Sequence, residues 1–204
     1  KMYGVHYSVI MNCPLLTNET INKNRNEKLI IYQGAVERGR GFEQLFKAVK
    51  KLNLQLVVCG KGTYFDEVKQ LAKEEGVLEN VTFTGFVLPE KLHQYNQNAY
   101  IGMNVNDGFG KSFYYSLTNR FFDFMHAGVP QIANDNPENR SINKEYEIAV
   151  LVNELTAESI TNAINLLMND KELYNRLQQN CLKARKVYNW QNEERKLIEF
   201  YRSL

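Results

Sequence analysis

Short apolar runs recur along this chain, each separated from the next by a stretch of helix length. They are KLIIYQG, LQLVVCG, VTFTG, YIGMNV, VPQIAN and IAVLVN, with HYSVIMN (6–12) ahead of them. The runs are apolar throughout and do not alternate. A strand of that kind is buried on both faces, and this is the habit of parallel sheets. The segments between them carry a different period. In GFEQLFKAVKKL, Phe42, Leu45, Phe46, Val49 and Leu52 recur at helical spacing, which predicts an amphipathic helix. YFDEVKQLAKEEG is a second helix, closed by Gly76, and a third opens at Pro89, where a first-turn proline is tolerated. Three further helical segments follow IAVLVN. Strands alternating with helices predict an α/β fold, a single Rossmann-like parallel sheet of about six strands with helices on both faces. Pro14 to Glu27 is polar and reads as a linker, Asn106 to Tyr115 as an aromatic loop, and the stretch around Pro137 as another loop.

At 204 residues the chain suits one domain spanning 1–204. A net charge of +2 gives no reason to expect nucleic acid or an anionic membrane as a partner. Cys13, Cys59 and Cys181 are far apart, without metal spacing, and fit a reducing, cytoplasmic compartment better than a disulfide framework. No run is long enough for a transmembrane segment. The chain opens Lys1-Met2, which reads as a trimmed start or a piece of something longer. His6, His93 and His126 are isolated and read as structural, and no metal site is expected.

Three of the runs end in Gly34, Gly60 and Gly85. Ligands of open parallel sheets bind beyond the carboxyl ends of the strands. Taken singly these are turn glycines; their repetition also fits a ligand approaching backbone. GAVERGRGF follows the first of them and leads into a helix, so free amides at the helix start, with Arg38 and Arg40, suit a phosphate. Arg40 lies between Gly39 and Gly41. Gln44 stands where a dinucleotide fingerprint needs its third glycine, and no Gly-Lys-Ser/Thr follows for a Walker loop.

SLTNRFFDFMHAGVPQIA (116–133) predicts a helix ended by Gly128-Val129-Pro130. Leu117, Phe121, Phe124, Met125 and Gly128 form its apolar stripe, while Asn119 and Asp123, four apart, face away with Arg120 and Ser116 beside them. Periodicity alone makes this a solvated face.

The order of these pieces resembles the nucleotide-binding C-terminal half of GT-B retaining glycosyltransferases, of the family 4 or glycosyl transferases group 1 type. Such proteins carry a strand followed by G-x(5)-[KR]-G, here GAVERGRG, and later a block like S-L-P-N-K-L-F-E-Y-M-A-A-G-x-P-V-I-A, here SLTNRFFDFMHAGVPQIA. The likeness runs from VIMNCP to the tryptophan helix WQNEERKLIEFYRSL. It implies one half of a GT-B fold, with the acceptor-binding N-terminal domain lying outside this chain. It implies a nucleotide diphosphate sugar as donor, sugar transfer with retention, and no metal or other cofactor. Asp123 stands where a family acid binds the ribose hydroxyls, and a carboxylate accepts both bonds of a diol. Arg40 matches the cation that grips the diphosphate, with Gly34 and Gly41 bounding its loop. Gly60 and Lys61 match a second glycine turn beside the nucleotide. Phe86 and Val87 match the loop that reads the base, and Asn119 and Arg120 flank the ribose acid.

Three departures stand out. Ala35 replaces an arginine usual after the first glycine, Tyr115 replaces a glutamate eight residues before the ribose acid, and Thr118 replaces the proline of the block. The implied role is sugar transfer in bacterial surface polysaccharide or glycoconjugate synthesis, in the cytoplasm, with any membrane association supplied by the absent N-terminal domain. A non-catalytic nucleotide-sugar-binding module and a sugar-nucleotide epimerase-like Rossmann enzyme are the alternatives.

Overall fold

A computed structural model describes residues 7–18, 20–22, 24–107 and 110–203. The elements in chain order are β1 (Asn26–Gln33), α1 (Phe42–Leu52), β2 (Gln55–Cys59), α2 (Phe65–Glu74), β3 (Val81–Gly85), α3 (Pro89–Asn98) and β4 (Ala99–Asn104). After these come α4 (Lys111–Tyr114), α5 (Asn119–His126), β5 (Gln131–Asn134), α6 (Pro137–Tyr146), β6 (Ala149–Val152), α7 (Ala157–Asn169), α8 (Lys171–Ala184) and α9 (Trp190–Arg202). The strands form one six-stranded sheet in the order β3-β2-β1-β4-β5-β6, with every pairing parallel. This is the expected Rossmann-like α/β architecture.

Alternation along β1 explains how both faces are covered. Ile30 and Tyr32 pack with Leu45, Phe46 and Val49 of α1 and with Ile160 and Ile164 of α7. Ile31, between them, packs with Phe124 and Ala127 of α5. The two crossover helices therefore lie on opposite faces, and the strand order reverses between β1 and β4. Loops leaving these two strands diverge and open a crevice above the sheet, the usual ligand position in such folds. Gly102 in β4 makes the α5 side possible. A β-carbon there would lie 2.6 Å from the Phe124 ring, so the missing side chain lets that ring lie flat against the strand.

The structure revises four local expectations. Residues 7–12 of HYSVIMN form no strand, and His6 lies outside the described residues. The Met11 amide donates instead to the Glu193 carboxylate at 3.0 Å, and the Trp190 amide to the Pro14 carbonyl at 2.9 Å. The segment read as a linker is thus docked on the start of α9. It stays attached further along, where Arg25 donates to the carbonyls of Gly128 (2.6 Å) and Ala127 (2.5 Å) at the end of α5. Pro137 opens helix α6 and does not sit in a loop. Proline is at the first turn, and the Asn136 side chain caps the helix by accepting from the Asn139 amide at 2.8 Å. The aromatic loop contains the single turn α4, and Gly108 and Phe109 of NDGFG lie outside the described residues.

Candidate functional site

The ends of β1, β2 and β3 form a backbone floor. The Gly34 amide donates to the Cys59 carbonyl at 2.9 Å, and the Gly60 amide to the Gly85 carbonyl at 2.8 Å. Gly60 has φ 151°, and a β-carbon on it would fall 1.9 Å from the Gly34 carbonyl oxygen. Only glycine permits this approach. Lys61 is exposed beside this floor, Phe86 projects with 71% of its surface exposed, and Val87 packs back with Leu92 of α3.

The loop from Gly34 to Gly41 is braced from below. Tyr32 donates its hydroxyl to the Ala35 carbonyl at 2.6 Å, and the Val36 amide donates to the Lys61 carbonyl at 3.1 Å. Glu37 accepts from the amide of Thr63 at 3.0 Å and from its hydroxyl, and these bonds hold its carboxyl below the usual range. Gly41 is the N-cap of α1. Arg38 lies over the Tyr64 ring and Arg40 over the Phe113 ring, each 5.1 Å from the centroid. The Nε of Arg40 is buried and has no partner, so this guanidinium is held in place with donor capacity unused.

Helix α5 supplies the acid. Phe121, Phe122, Phe124 and Met125 are buried, so the apolar face is wider than the spacing alone suggests, with Phe122 added. Burying a phenylalanine contributes roughly 1.5–3 kcal/mol, enough for these rings to fix the helix rotation. That rotation leaves Asn119 exposed and Asp123 half-buried. Gln33, the last residue of β1, donates from Nε2 to Asp123 Oδ2 at 2.6 Å. Burial pushes the Asp123 carboxyl up to about 6, and the Gln33 bond opposes the rise. Arg120 differs from the expected flanking residue. It is buried, lies 4.7 Å from the Tyr32 ring centroid, and donates from its guanidinium to the Gln33 carbonyl at 3.2 Å. Burial lowers its pKa, and the nearby charge of Arg40 lowers it further.

Gly34, Gly60, Lys61, Arg120 and Asp123 therefore gather around the end of β1. Arg40 and Gly41 open on a hollow of about 680 Å³ that also touches Phe113, Asn136 and Glu154. Asn119 and Asp123 open on a groove of about 1500 Å³ between α3 and α5, closed on one side by the segment around Cys13 and Thr17. The end of β1 and the Arg120 side chain lie between the arginine of the first hollow and the acid of the second. Tyr115 is exposed and stands edge-on to Tyr114. His126 is buried, with a ring nitrogen 2.7 Å from the Tyr188 carbonyl, and burial lowers its pKa. Among the described residues no group of three or more His, Cys, Asp or Glu side chains is placed to hold a metal ion. Gln33 is absent from the residues expected from sequence; its one signal is a carboxamide directly after the apolar run Leu29–Tyr32.

With this geometry in place, comparison with known proteins is decisive on family. Residues 17–184 match the family model described as Glycosyl transferases group 1. The chain belongs to this family. It is 24% identical over 190 residues to an uncharacterized glycosyltransferase of Methanocaldococcus jannaschii, covering 90% of this chain and 47% of that protein. The chain thus spans about half the length of that curated relative. Among solved structures, Anabaena HepE in complex with UDP-glucose superposes with a TM-score of 0.73 at 16% identity, over 88% of this chain and 50% of that one. Sucrose-phosphate synthase from Thermosynechococcus elongatus gives 0.71 at 22%, over 87% and 45%. At such identities these structures establish the fold, which is that of one Rossmann-like unit of a GT-B glycosyltransferase. No helix among the described residues is long and apolar enough to cross a membrane.

Proposed function

We propose that this chain is the donor-binding domain of a retaining glycosyltransferase and that it holds a nucleotide diphosphate sugar across the end of β1. The observation that carries this reading is the pairing of Asp123 with the glycine floor. A half-buried carboxylate, fixed by Gln33, stands beside strand ends whose glycines leave backbone uncovered by side chains. In this reading the carboxylate accepts both ribose hydroxyls, and the exposed backbone at Phe86 and Val87 meets the base. The diphosphate lies against the Gly34–Gly41 loop, with Arg40 and the start of α1 facing its charge. As the glycosidic bond breaks, negative charge builds on that diphosphate. A preorganised guanidinium and helix-start amides stabilise it without reorganisation. Structures of HepE with UDP and with UDP-glucose support a uridine nucleotide as the first donor to test.

The acceptor and the facing wall of the cleft would come from an N-terminal domain. The half-length coverage of relatives supports that arrangement. Bacterial surface polysaccharide or glycoconjugate assembly is the setting we propose, in the cytoplasm. Tyr115 favours a second reading, because an exposed tyrosine occupies the place of an acid that touches the donor sugar. On that reading the domain binds nucleotide sugars without transferring them.

Calorimetry of the chain with UDP, GDP and NAD tests the first reading. Binding of UDP or GDP in the high-micromolar to millimolar range, about 4–6 kcal/mol, is expected, with no turnover of UDP- or GDP-sugars by the chain alone. Preference for NAD would refute the donor assignment, and sustained turnover would refute the need for a facing domain. Transfer by the parent protein would decide between enzyme and binding module.

A further inference from the structure

Gln33 is a buried carboxamide at a strand end, as Asn104 is at the end of β4. It ends β1, is 2% exposed, and shares its face of the strand with Ile31, which packs against Phe124. An apolar side chain there would leave the Asp123 carboxylate without this donor. The glutamine leaves its Oε1 buried and unpartnered, as Gln131 does in β5; what sets Gln33 apart is that its amide end reaches a carboxylate, where that of Gln131 reaches a backbone carbonyl. The amide nitrogen and backbone carbonyl of Gln33 are both engaged. Nε2 donates to Asp123 Oδ2 at 2.6 Å, and the backbone carbonyl accepts from Arg120 at 3.2 Å. One residue thus ties the end of the sheet to two side chains on successive positions of the same α5 face. Asp123 Oδ1 takes no hydrogen bond from any described residue and is left to the groove it lines.

We propose that Gln33 is a positioning residue for Asp123, holding one carboxylate oxygen so that the other is presented to the ribose diol of the donor. This rests on the reading of Asp123 as the ribose acid. A carboxamide suits the task because it has two ends. Nε2 donates to the ionised carboxylate, and after rotation Oε1 can accept from the carboxylic acid. A leucine or methionine of similar volume can do neither. The titratable and charged groups around Asp123 are Arg120 and His126 on its own helix, Glu90 and His93 on α3, Arg185 just after α8, and the Cys13 thiol of the segment before β1, whose pKa burial raises. Burial lowers the His126 pKa and its ring is bonded to Tyr188, and Arg120 is turned onto Tyr32 and the Gln33 carbonyl. Gln33 is therefore the group hydrogen-bonded to the carboxylate. It opposes the burial that raises the Asp123 carboxyl to about 6.

The test is calorimetry of UDP and 2′-deoxy-UDP from pH 5 to 8, on the wild-type chain, Gln33→Leu and Gln33→Met. Wild type should prefer UDP by about tenfold, one charge-assisted hydrogen bond, and bind it more tightly as pH rises through about 6. In both variants the preference should fall to about threefold or less, and the midpoint should move up by about one pH unit. Two side chains guard against a variant that fails to fold, and near-ultraviolet circular dichroism checks each. Equal weakening of both nucleotides with an unmoved midpoint would make Gln33 a packing residue and overturn the proposal. A wild-type chain that binds UDP without ribose preference would overturn the reading of Asp123 itself, and this proposal with it.

Discussion

Replacing Asp123 by asparagine should make the protein more stable and a poorer binder of ribonucleotides. The side chain is nearly isosteric, and its carbonyl oxygen can still accept from Gln33. The change removes a charge from a site that burial disfavours. The carboxyl moves from 3.8 to about 6 in the folded chain. That is about 2 units, or about 3 kcal/mol between the two protonation states. The folded pKa lies above the unfolded one, so the native state holds the extra proton between about pH 4 and 6. Stability from this group is fully present below pH 4 and is lost as pH rises through 6. Asparagine loses nothing over that window. The variant should therefore match wild type near pH 4 and exceed it by up to about 3 kcal/mol above pH 7, about 6–12 °C in melting temperature for a chain of this size. Urea unfolding at pH 4.5, 6 and 7.5 measures the difference, and calorimetry with UDP at pH 7.5 measures the loss of binding. A stability difference that does not change with pH would refute the argument, because a buried, ionising carboxylate would then not be its source. Stability recovered by deleting a side chain's charge is what a ligand site predicts, since such sites hold groups that suit the ligand more than the fold.

Other expectations use the same crevice. Arg40→Ala should weaken UDP about tenfold or more and leave uridine nearly unchanged, since one charge-assisted hydrogen bond contributes about 1.5–3 kcal/mol; equal losses in calorimetry would place Arg40 away from the phosphates. Gly60→Ala should destabilise the fold by roughly 2–6 kcal/mol. The estimate adds backbone strain of about 1–3 to an overpacking cost of about 1–3, because the new β-carbon meets a backbone carbonyl; a urea midpoint close to wild type would show that β1 and β2 can separate at no cost. Arg25→Ala should loosen the segment before β1 by removing two bonds to the carbonyls of Ala127 and Gly128, read as faster proteolysis between residues 13 and 25 with helix content unchanged; unaltered cleavage would mean that the bond at Pro14 and the pair between the Leu16 backbone and the Gln191 side chain suffice.

What the sequence exposes and what it hides follow from how each feature is built. β1, β2 and β4 are buried on both faces, so their apolar runs and helical neighbours are readable from residue type alone, and the parallel sheet follows. The same holds for Gly34 and Gly60, whose spacing at strand ends reflects one backbone contact. α6 is hidden for the opposite reason. Asn139 and Ile142 are its buried residues, so PENRSINKEY has almost no apolar stripe, and its start is fixed by an asparagine cap that looks like turn chemistry. Residues 7–12 mislead because VIM has strand composition, yet Glu193, at the far end of the chain, claims the Met11 amide instead of a sheet edge. At the site, Asp123 is legible through its place in an ordered block, while its environment is not. Arg120 falls on the polar side of a helical wheel, yet the wheel has no term for Tyr32 and the Gln33 carbonyl, which draw that guanidinium inward. Gln33 is hidden more deeply, because its partner is 90 residues away. A single polar residue closing an apolar run is the local trace of that contact. The glutamine that closes the apolar run of β1 and the aspartate on the polar side of α5 are two halves of one interaction, and the glutamine is unexplained until the aspartate is placed beside it.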